Sequence, residues 1–263
     1  MSYRAVSLDL WFTTIYHPRG QEARWDDSRV RFLGESMQHS DGSPPTVEEI
    51  RTAMVEVHSD LEAIGLNTGK VDPGILLQRY ASRLNARCTL PSFEAAQRFS
   101  ANGLREYPPV VSPDAVEVVR SLRGRGIPVI MITNTARRAD SWKEFLGDQA
   151  GLAFEHIITS CEVGSAKPDG AIFALAARRL GVPAHEILHV GDRWELDVVG
   201  AQRAGFGAAL YRGLWPRYPE GMYPETDART VATSGVLCID RLDELLVDGL
   251  VTAPREGRTS TVG

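Results

Sequence analysis

The sequence predicts an α/β protein with a doubly wound parallel sheet and a smaller, all-helical domain inserted after the first strand. Beyond residue 112, helical and strand patterns alternate regularly, an order typical of βαβ units. The first strand, residues 3–10, is separated from the next, residues 127–133, by a long stretch with helical spacing of its apolar residues. Four helices are predicted there, which is enough for a small bundle.

The best-marked helix of the inserted stretch begins with a capping box formed by Thr46 and Glu49. Apolar residues then recur at the spacing of one helix face. Weaker patterns predict further helices at residues 22–37, 73–84 and 92–103, with Pro or Gly residues between them.

The elements of the second part follow one another with short connections. The predicted strands are residues 127–133, 154–159, 186–190, 207–211 and 236–240. The predicted helices are residues 113–125, 136–146, 168–180 and 197–204, with a final helix after the last strand.

Composition excludes several classes of function. The chain has 29 Lys and Arg residues against 34 Asp and Glu residues, so a net charge of −5 argues against nucleic acid as a partner. No apolar run reaches the roughly 18 residues that cross a bilayer, so we expect no membrane insertion. The N-terminus is predicted to be a strand rather than a signal peptide, and three scattered cysteines suit a reducing compartment. A cytoplasmic protein is therefore expected.

Residues with chemical potential follow the predicted strands, at the edge where parallel sheets bind ligands. A carboxylate nucleophile, donors for an anion, a lysine and further carboxylates for a hard cation together suit phosphoryl transfer. These residues are Asp9, Thr13, Thr133, Asn134, Lys167, Asp192 and Asp197.

Two longer stretches make this set more specific. SCEVGSAKPDGAIF, residues 160–173, resembles the lysine motif of the haloacid dehalogenase (HAD) superfamily of hydrolases, and HVGDRWELDVVGAQRAG, residues 189–205, resembles its acidic G-D-x-x-x-x-D motif. The resemblance implies a Rossmann-like core at residues 1–15 and 106–251. It also implies a helical cap at residues 16–105 that closes over the site and selects the substrate. A flexible tail is expected at residues 252–263.

The resemblance also implies roles for the residues at the strand ends. Asp9 would be the nucleophile and would form a covalent aspartyl intermediate. Thr13, Thr133 and the backbone amide of Asn134 would hold the transferred group. Lys167 would offset negative charge on the nucleophile and the substrate.

Mg²⁺ is the cofactor that the resemblance implies. Its ligands would be the carboxylates of Asp9 and Asp192 and the main-chain carbonyl of Trp11, with Asp197 binding or orienting the metal shell. Without a cation, these clustered carboxylates would repel one another.

The first motif departs from the D-x-D-G-T pattern of the superfamily's phosphatases, because this chain has Asp9-Leu10-Trp11-Phe12-Thr13. Trp11 replaces the Asp that protonates the leaving group and activates water, a contribution of roughly 10²–10⁴-fold. Phe12 replaces a glycine and removes backbone freedom. His17 is a candidate replacement acid, although a polar loop residue before Pro18 is the preferred interpretation. Substrates with a good leaving group, such as an acyl phosphate, would need no acid.

The leading prediction is a Mg²⁺-dependent phosphohydrolase of a small phosphorylated metabolite, acting through an aspartyl-phosphate on Asp9. Neither nucleic acid nor a membrane is expected as a partner, and the protein is predicted to be a monomer or a homodimer. Specificity would come from the cap, whose helices show only amphipathic patterns.

Three alternatives stay open. The first is metal-independent hydrolysis at carbon, because the 2-haloacid dehalogenases carry D-x-Y-G-T with an aromatic residue at the second position, although this chain keeps Asp192 and Asp197. The second is phosphonate cleavage through a Schiff base on Lys70, the single lysine of the cap, although an exposed loop lysine is the preferred interpretation of this residue. The third is a binding or regulatory protein without turnover. The candidate halide-binding arginines are Arg24, Arg29 and Arg31.

Overall fold

The computed structural model describes residues 2–63, 71, 73–89, 103–217 and 235–253. The strands of its central sheet are β1 (Ala5–Leu8), β6 (Val129–Thr133), β7 (Ile157–Thr159), β8 (Ile187–Gly191), β9 (Gly207–Tyr211) and β10 (Leu237–Ile239). They lie in the order β10-β9-β8-β1-β6-β7, and every neighbouring pair is parallel. The prediction of a doubly wound α/β core is confirmed.

Helices cover the sheet and fill the inserted stretch. Those of the insertion are α1 (Gln21–Ser36), α2 (Val47–Ala63) and α3 (Pro73–Arg83). Those of the core are α4 (Pro113–Gly124), α5 (Ala139–Ala150), α6 (Ser160–Val163), α7 (Gly170–Leu180) and α8 (Gly200–Arg203). None of the described helices is long and apolar enough to cross a membrane.

The central strand β1 lies between β6 and β8, and this register positions the site. Leu8 is paired with Met131 on one side and with Val190 on the other. The carboxyl ends of the three strands therefore lie together at one sheet edge. Asp9, Thr133 and Asp192 all stand at this edge.

Both faces of the sheet are buried, which explains why its strands have continuous apolar runs rather than alternating ones. One face packs with Trp142 and helix α4 in a cluster that includes Val6 and Met131. The opposite face packs with Phe173 of α7 in a cluster that includes Ile130.

The insertion has an apolar cluster of its own, formed by α1, α2 and α3. The predicted capping box is present, since the Thr46 N–H donates to Glu49 Oε2 at 2.7 Å and the Glu49 N–H donates to Thr46 Oγ1 at 3.3 Å. The predicted helix at residues 92–103 lies almost wholly outside the described residues. The predicted boundaries of the domains and of the tail stay predictions.

Short strands depart from the all-helical insertion that the sequence predicts. β3 (Met37–Gln38) pairs antiparallel with β4 (Arg87–Cys88) inside it. β2 (Ile15–Tyr16) pairs antiparallel with β5 (Val110–Val111), so the two connections to the core run side by side. Strands of two residues have no alternation for a sequence pattern to reveal.

Three later elements also differ from the prediction. β7 begins at Ile157 rather than at residue 154. A π-helical turn, Trp194–Val199, precedes α8 where a regular helix was predicted from residue 197. The predicted final helix is the 3₁₀ turn Leu242–Leu246. Such boundaries depend on tertiary contacts that local propensity does not encode.

Candidate active site

Asp9 lies directly after β1, and its backbone is held on both sides. The Asp9 N–H donates to the carbonyl of Val190 at 2.8 Å, and the hydroxyl of Thr14 donates to the carbonyl of Asp9 at 2.7 Å. The residue is 7% exposed. A carboxylate that is this buried and this fixed is well placed to act as a nucleophile toward a bound electrophile.

Lys167 connects two carboxylates that are far apart in sequence. Its Nζ lies 2.5 Å from Asp9 Oδ1 and 2.5 Å from Asp197 Oδ1. Burial alone would favour the neutral amine, but the charges of Asp197 and Asp9 outweigh it and raise the pKa of Lys167 above its usual range. The lysine is therefore a permanent buried cation between the two acids.

A third carboxylate completes the group. Side-chain oxygens of Asp9, Asp192 and Asp197 all lie within 4.8 Å of one another, and all three residues are buried. Oxygen donors in this number and at this spacing fit a hard divalent cation such as Mg²⁺. The predicted metal ligands are thus brought together, with the Trp11 carbonyl two residues from Asp9.

The pKa values of Asp9 and Asp197 are shifted in opposite directions. Burial raises the pKa of Asp9 to about 6, with Lys167 opposing this rise and Asp197 adding to it. Burial also opposes ionisation of Asp197, but the Lys167 ammonium and a hydrogen bond from His189 outweigh it and lower its pKa. Asp197 is hence anionic at neutral pH.

Asp197 is fixed by three groups. Its Oδ1 contacts Lys167 and lies 3.1 Å from His189 Nε2, while its Oδ2 accepts a hydrogen bond from the Arg193 N–H at 2.9 Å. A Cβ at Gly191 would lie 2.2 Å from Asp197 Cγ. Only glycine at position 191 leaves the room that this carboxylate occupies.

His189 is a site neighbour that the sequence analysis missed. It lies in β8 with no exposed surface, and its Nδ1 is 2.8 Å from the hydroxyl of Ser7 in β1. A histidine inside an apolar strand, two residues before Gly191, is the only sequence signal of this contact. Burial lowers the pKa of His189, so the neutral ring is favoured.

Two buried hydroxyls lie at the same sheet edge. Thr13 Oγ1 and Thr133 Oγ1 form no hydrogen bond with any described residue. A buried hydroxyl without a partner costs free energy, so these two are suited to an anionic ligand. This supports the roles that the sequence predicts for both threonines.

Asn134 contributes its side chain as well as its backbone. Its Nδ2 donates to the carbonyl of Lys167 at 2.9 Å, and its Oδ1 accepts from the Lys167 N–H at 2.8 Å. From the sequence, only the backbone amide of Asn134 was predicted to have a role. The side chain holds the segment that carries the lysine.

A family model described as haloacid dehalogenase-like hydrolase matches residues 92–205. Glyceraldehyde 3-phosphate phosphatase from Methanopyrus kandleri is 32% identical over 134 residues, which is 51% of this chain and 54% of that protein. The chain spans about half the length of the curated relatives it matches first. Over residues 92–205, which are less than half of its length, this chain is similar to the haloacid dehalogenase-like hydrolases.

Solved structures of the superfamily match along nearly the whole chain. A HAD phosphatase from Thermococcus onnurineus is 20% identical with a TM-score of 0.60, covering 95% of this chain and 99% of that one. A 2-haloacid dehalogenase from Pseudomonas syringae is 22% identical with a TM-score of 0.58, covering 93% and 96%. At this identity the likeness shows the shared fold.

The first motif has the backbone conformation of a glycine at position 12, although the residue there is Phe12. Phe12 has a φ of 55°, in the left-handed region that glycine favours. Its N–H donates to the carbonyl of Ile15 at 2.7 Å, which closes the turn. A bulky residue in this region costs roughly 1–3 kcal/mol, so the surrounding structure enforces the turn.

Trp11 stands where the superfamily's phosphatases carry an acid. Its ring lies 4.6 Å from that of His17 and 5.8 Å from that of Trp142. Burial, together with the charges of Arg137 and Arg29, lowers the pKa of His17 to about 4. A neutral imidazole at pH 7 has no acidic proton to replace that of the missing Asp, so this part of the His17 hypothesis is disfavoured.

The three candidate halide-binding arginines all lie on α1 of the insertion. Arg24 and Arg31 are exposed, and Arg29 pairs with Asp26. Lys70 lies outside the described residues. Trp215 donates from Nε1 to the carbonyl of Asp192 at 3.3 Å, a contact that the sequence did not predict.

Proposed function

We propose that this protein is a Mg²⁺-dependent phosphohydrolase that acts on a small phosphorylated molecule through an aspartyl-phosphate on Asp9. The observation that carries the proposal is the buried Lys167 ammonium, 2.5 Å from both Asp9 and Asp197, beside the third carboxylate of Asp192. Transfer of a phosphoryl group needs this combination of nucleophile, fixed cation and metal-binding oxygens.

The cation would be held by the carboxylates of Asp9 and Asp192 and the carbonyl of Trp11, with Asp197 binding or orienting its shell. Bound Mg²⁺ supplies positive charge that offsets the charge on the transferring phosphoryl oxygens. Its charge would also favour the ionised form of Asp9, whose pKa is raised by burial and further by the charge of Asp197.

Each of the side chains and backbone groups at the site would have a separate role in the two steps of the reaction. The ionised carboxylate of Asp9 attacks phosphorus, the bond from phosphorus to the leaving oxygen breaks, and the phosphoryl group is now on Asp9. Thr13, Thr133 and the Asn134 backbone N–H hold its oxygens, and Lys167 balances their charge. Water then cleaves the acyl phosphate to inorganic phosphate and restores Asp9.

The leaving group is where this chain differs from ordinary phosphatases. Trp11 carries no titratable group, and His17 is neutral at pH 7, so neither protonates the departing oxygen. Substrates that leave as stabilised oxyanions, such as acyl phosphates or acidic phenyl phosphates, should therefore react fastest. The cytoplasmic location and the monomeric or homodimeric state remain predictions.

The test is phosphate release from a panel of phosphorylated metabolites and activated phosphates, with Mg²⁺ and with EDTA. Wild type, Asp9→Asn and the exposed control Asp148→Asn are compared. We expect turnover only with Mg²⁺, loss of at least 10³-fold in Asp9→Asn, and unchanged rates in Asp148→Asn. Turnover that survives Asp9→Asn would refute the proposal.

A second candidate is hydrolysis at carbon, of the dehalogenase type. The observation in its favour is the aromatic Trp11 at the second position of the first motif, packed on Trp142. It predicts halide release from a short 2-haloacid, unaffected by EDTA, with no phosphate release. If neither product forms, a binding protein without turnover is the remaining reading.

A further inference from the structure

Two polar side chains lie side by side in the apolar interior of the sheet. Ser7 of β1 and His189 of β8 are paired across these neighbouring strands, and neither has any exposed surface. The Ser7 hydroxyl lies 2.8 Å from His189 Nδ1. Apolar residues of similar shape would fill both positions without the free energy that burial of polar groups costs. Stability alone therefore does not explain this pair.

His189 connects the pair to the carboxylates of the candidate site. Its Nε2 lies 3.1 Å from Asp197 Oδ1, the same oxygen that Lys167 Nζ contacts at 2.5 Å. Phe173 of α7 packs edge-on against the imidazole, with the ring centres 5.2 Å apart. Because an ionised carboxylate only accepts hydrogen bonds, His189 Nε2 must carry the proton of its bond to Asp197. The histidine is thus a fixed hydrogen-bond donor to this acid.

The hydroxyl of Ser7 acts on the imidazole ring rather than on a substrate. Both residues are enclosed by the sheet, so a substrate cannot reach this hydroxyl. A hydrogen bond at one ring nitrogen determines the orientation of the ring and favours the proton on the other nitrogen. Ser7 therefore orients His189, and His189 in turn orients Asp197.

The direction of the Asp197 carboxylate determines the place of the Lys167 ammonium. This ammonium lies 2.5 Å from Asp9 Oδ1 and 2.5 Å from Asp197 Oδ1, so the two acids share it equally. The Arg193 N–H binds Oδ2 of Asp197, and that single bond does not fix the direction of Oδ1. The bond from His189 does. Without it, Lys167 would lose a fixed partner and pair more closely with the proposed nucleophile.

We propose that Ser7 and His189 are positioning residues for Asp197. They hold its carboxylate so that the Lys167 ammonium stays shared with Asp9. This rests on the proposed function, to which it adds the groups that set the place of the lysine. An ammonium paired with Asp9 alone would stabilise the carboxylate more strongly and make it a weaker nucleophile, because charge-assisted hydrogen bonds favour the anion that accepts them.

The first measurement observes the two hydrogen-bonded groups directly, in the protein without metal or substrate. Nitrogen-15 NMR of the histidine rings reports which nitrogen of His189 carries a proton. The ammonium signals of the lysines report whether Lys167 is protected from proton exchange with water. Lys70 and Lys143 are the other lysines of the chain, so substituting each by Arg identifies the Lys167 signal.

The variants separate hydrogen bonding from packing. His189→Leu cannot donate a hydrogen bond, whereas the side-chain amide of His189→Gln can still donate to Asp197, and Ser7→Ala removes the hydroxyl that orients the ring. Ile187→Val is the matched control, because Ile187 lies two residues before His189 on the same face of β8 and is also fully buried. The second measurement is kcat and KM of each protein, with Mg²⁺ and the best substrate of the phosphate panel.

In wild type and Ile187→Val, His189 Nε2 should carry a proton and the Lys167 signal should be protected. His189→Leu should lose that protection and lower kcat by about 10- to 100-fold with little change in KM. His189→Gln should restore most of both, and Ser7→Ala should lower kcat by a smaller factor than His189→Leu.

Three results would overturn the proposal. The first is a wild-type His189 ring with its proton on Nδ1 alone, which tests the proposal even if a variant does not fold. The second is a Lys167 signal that is equally protected in His189→Leu. The third is His189→Gln behaving like His189→Leu, which would show that packing rather than hydrogen bonding matters at this position.

The two measurements also separate this proposal from the proposed function. The NMR signals do not depend on turnover. If they change as expected but no phosphate ester is hydrolysed, the positioning of Lys167 stands and the phosphohydrolase proposal fails. If esters are hydrolysed, but all variants have the same Lys167 signal and kcat, the phosphohydrolase proposal stands and the positioning role is refuted.

Discussion

The side-chain amide of Asn134 is bonded at both ends to the main chain of Lys167, at 2.9 Å through Nδ2 and at 2.8 Å through Oδ1. This pair of hydrogen bonds joins the loop after β6 to the segment before α7. The Lys167 ammonium can reach Asp9 and Asp197 only while that segment keeps its place. Asn134 thus positions the lysine as well as offering its own amide to a ligand.

Asn134→Ala should lower kcat by about tenfold to a hundredfold, because Lys167 loses its support and small displacements of catalytic groups are costly. The apparent Mg²⁺ affinity should change little, since no carboxylate is altered. Steady-state kinetics with a Mg²⁺ titration measures both quantities. Gln202→Ala, at an exposed position of α8, is the control. An unchanged kcat in Asn134→Ala would contradict the positioning role.

Gly191→Ala should abolish most of the activity, with a loss of at least 100-fold, and weaken Mg²⁺ binding. The new Cβ would collide with Asp197 and force the carboxylate out of its place. Gly124→Ala, where a Cβ meets nothing within 4 Å, should be neutral or slightly stabilising. Comparable kinetics of the two variants would show that Asp197 does not need its observed position.

Trp11→Asp should raise the hydrolysis of ordinary phosphate esters by 10²-fold or more, because it supplies the acid that the first motif lacks. Trp11→Asn is the matched control, since it removes the same ring without adding an acid. Rates with an unactivated alkyl phosphate are the measurement. An equal gain in both variants would show that the ring merely obstructs the site.

The pKa of His17 should be about 4, measured by NMR titration, and should rise in Arg137→Gln as one nearby positive charge is removed. The pKa of His17 in the unfolded chain is about 6.5, so between pH 4 and 6.5 this histidine binds fewer protons in the folded state than in the unfolded state. This residue therefore lowers the free energy of unfolding as pH falls from about 6.5 toward 4. A titration midpoint of His17 near pH 6.5 in the folded protein would show that burial does not lower its pKa.

Asp9→Asn should stabilise the metal-free protein at pH 7, on the order of 2–3 kcal/mol, because burial raises the pKa of Asp9 from 3.8 to about 6. The folded state binds the Asp9 proton more tightly than the unfolded state does. The free energy of unfolding of the wild type therefore falls as the pH rises from about 3.8 to 6, whereas Asn at this position does not ionise and loses nothing. Unfolding in urea at pH 4 and pH 7 measures the difference. Wild type and variant should converge at pH 4, and added Mg²⁺ should reverse the order at pH 7. A variant that is less stable at pH 7 without metal would contradict this.

The fold and the gathering of the main site residues follow from sequence order alone. Parallel strands that alternate with helices place their carboxyl ends at one sheet edge, so residues at those ends must come together. Asp9, Asp192 and Asp197 lie within reach of one cation for this reason. The motif spacing likewise predicted Lys167 beside them. The alternation of strands and helices and the motif spacing are local features of the chain, so a single sequence is enough to predict them.

Only the tertiary structure decided the surroundings of these residues. Three contacts join segments that no periodic pattern relates. They are the hydrogen bond between His189 and Asp197, the two hydrogen bonds between Asn134 and Lys167, and the packing of the Arg137 guanidinium on the Trp25 ring. The neutral state of His17 depends likewise on burial and on charges from distant segments. Contacts of this kind arise when helices and loops pack over the sheet, because packing pairs side chains by shape and charge rather than by their distance along the chain.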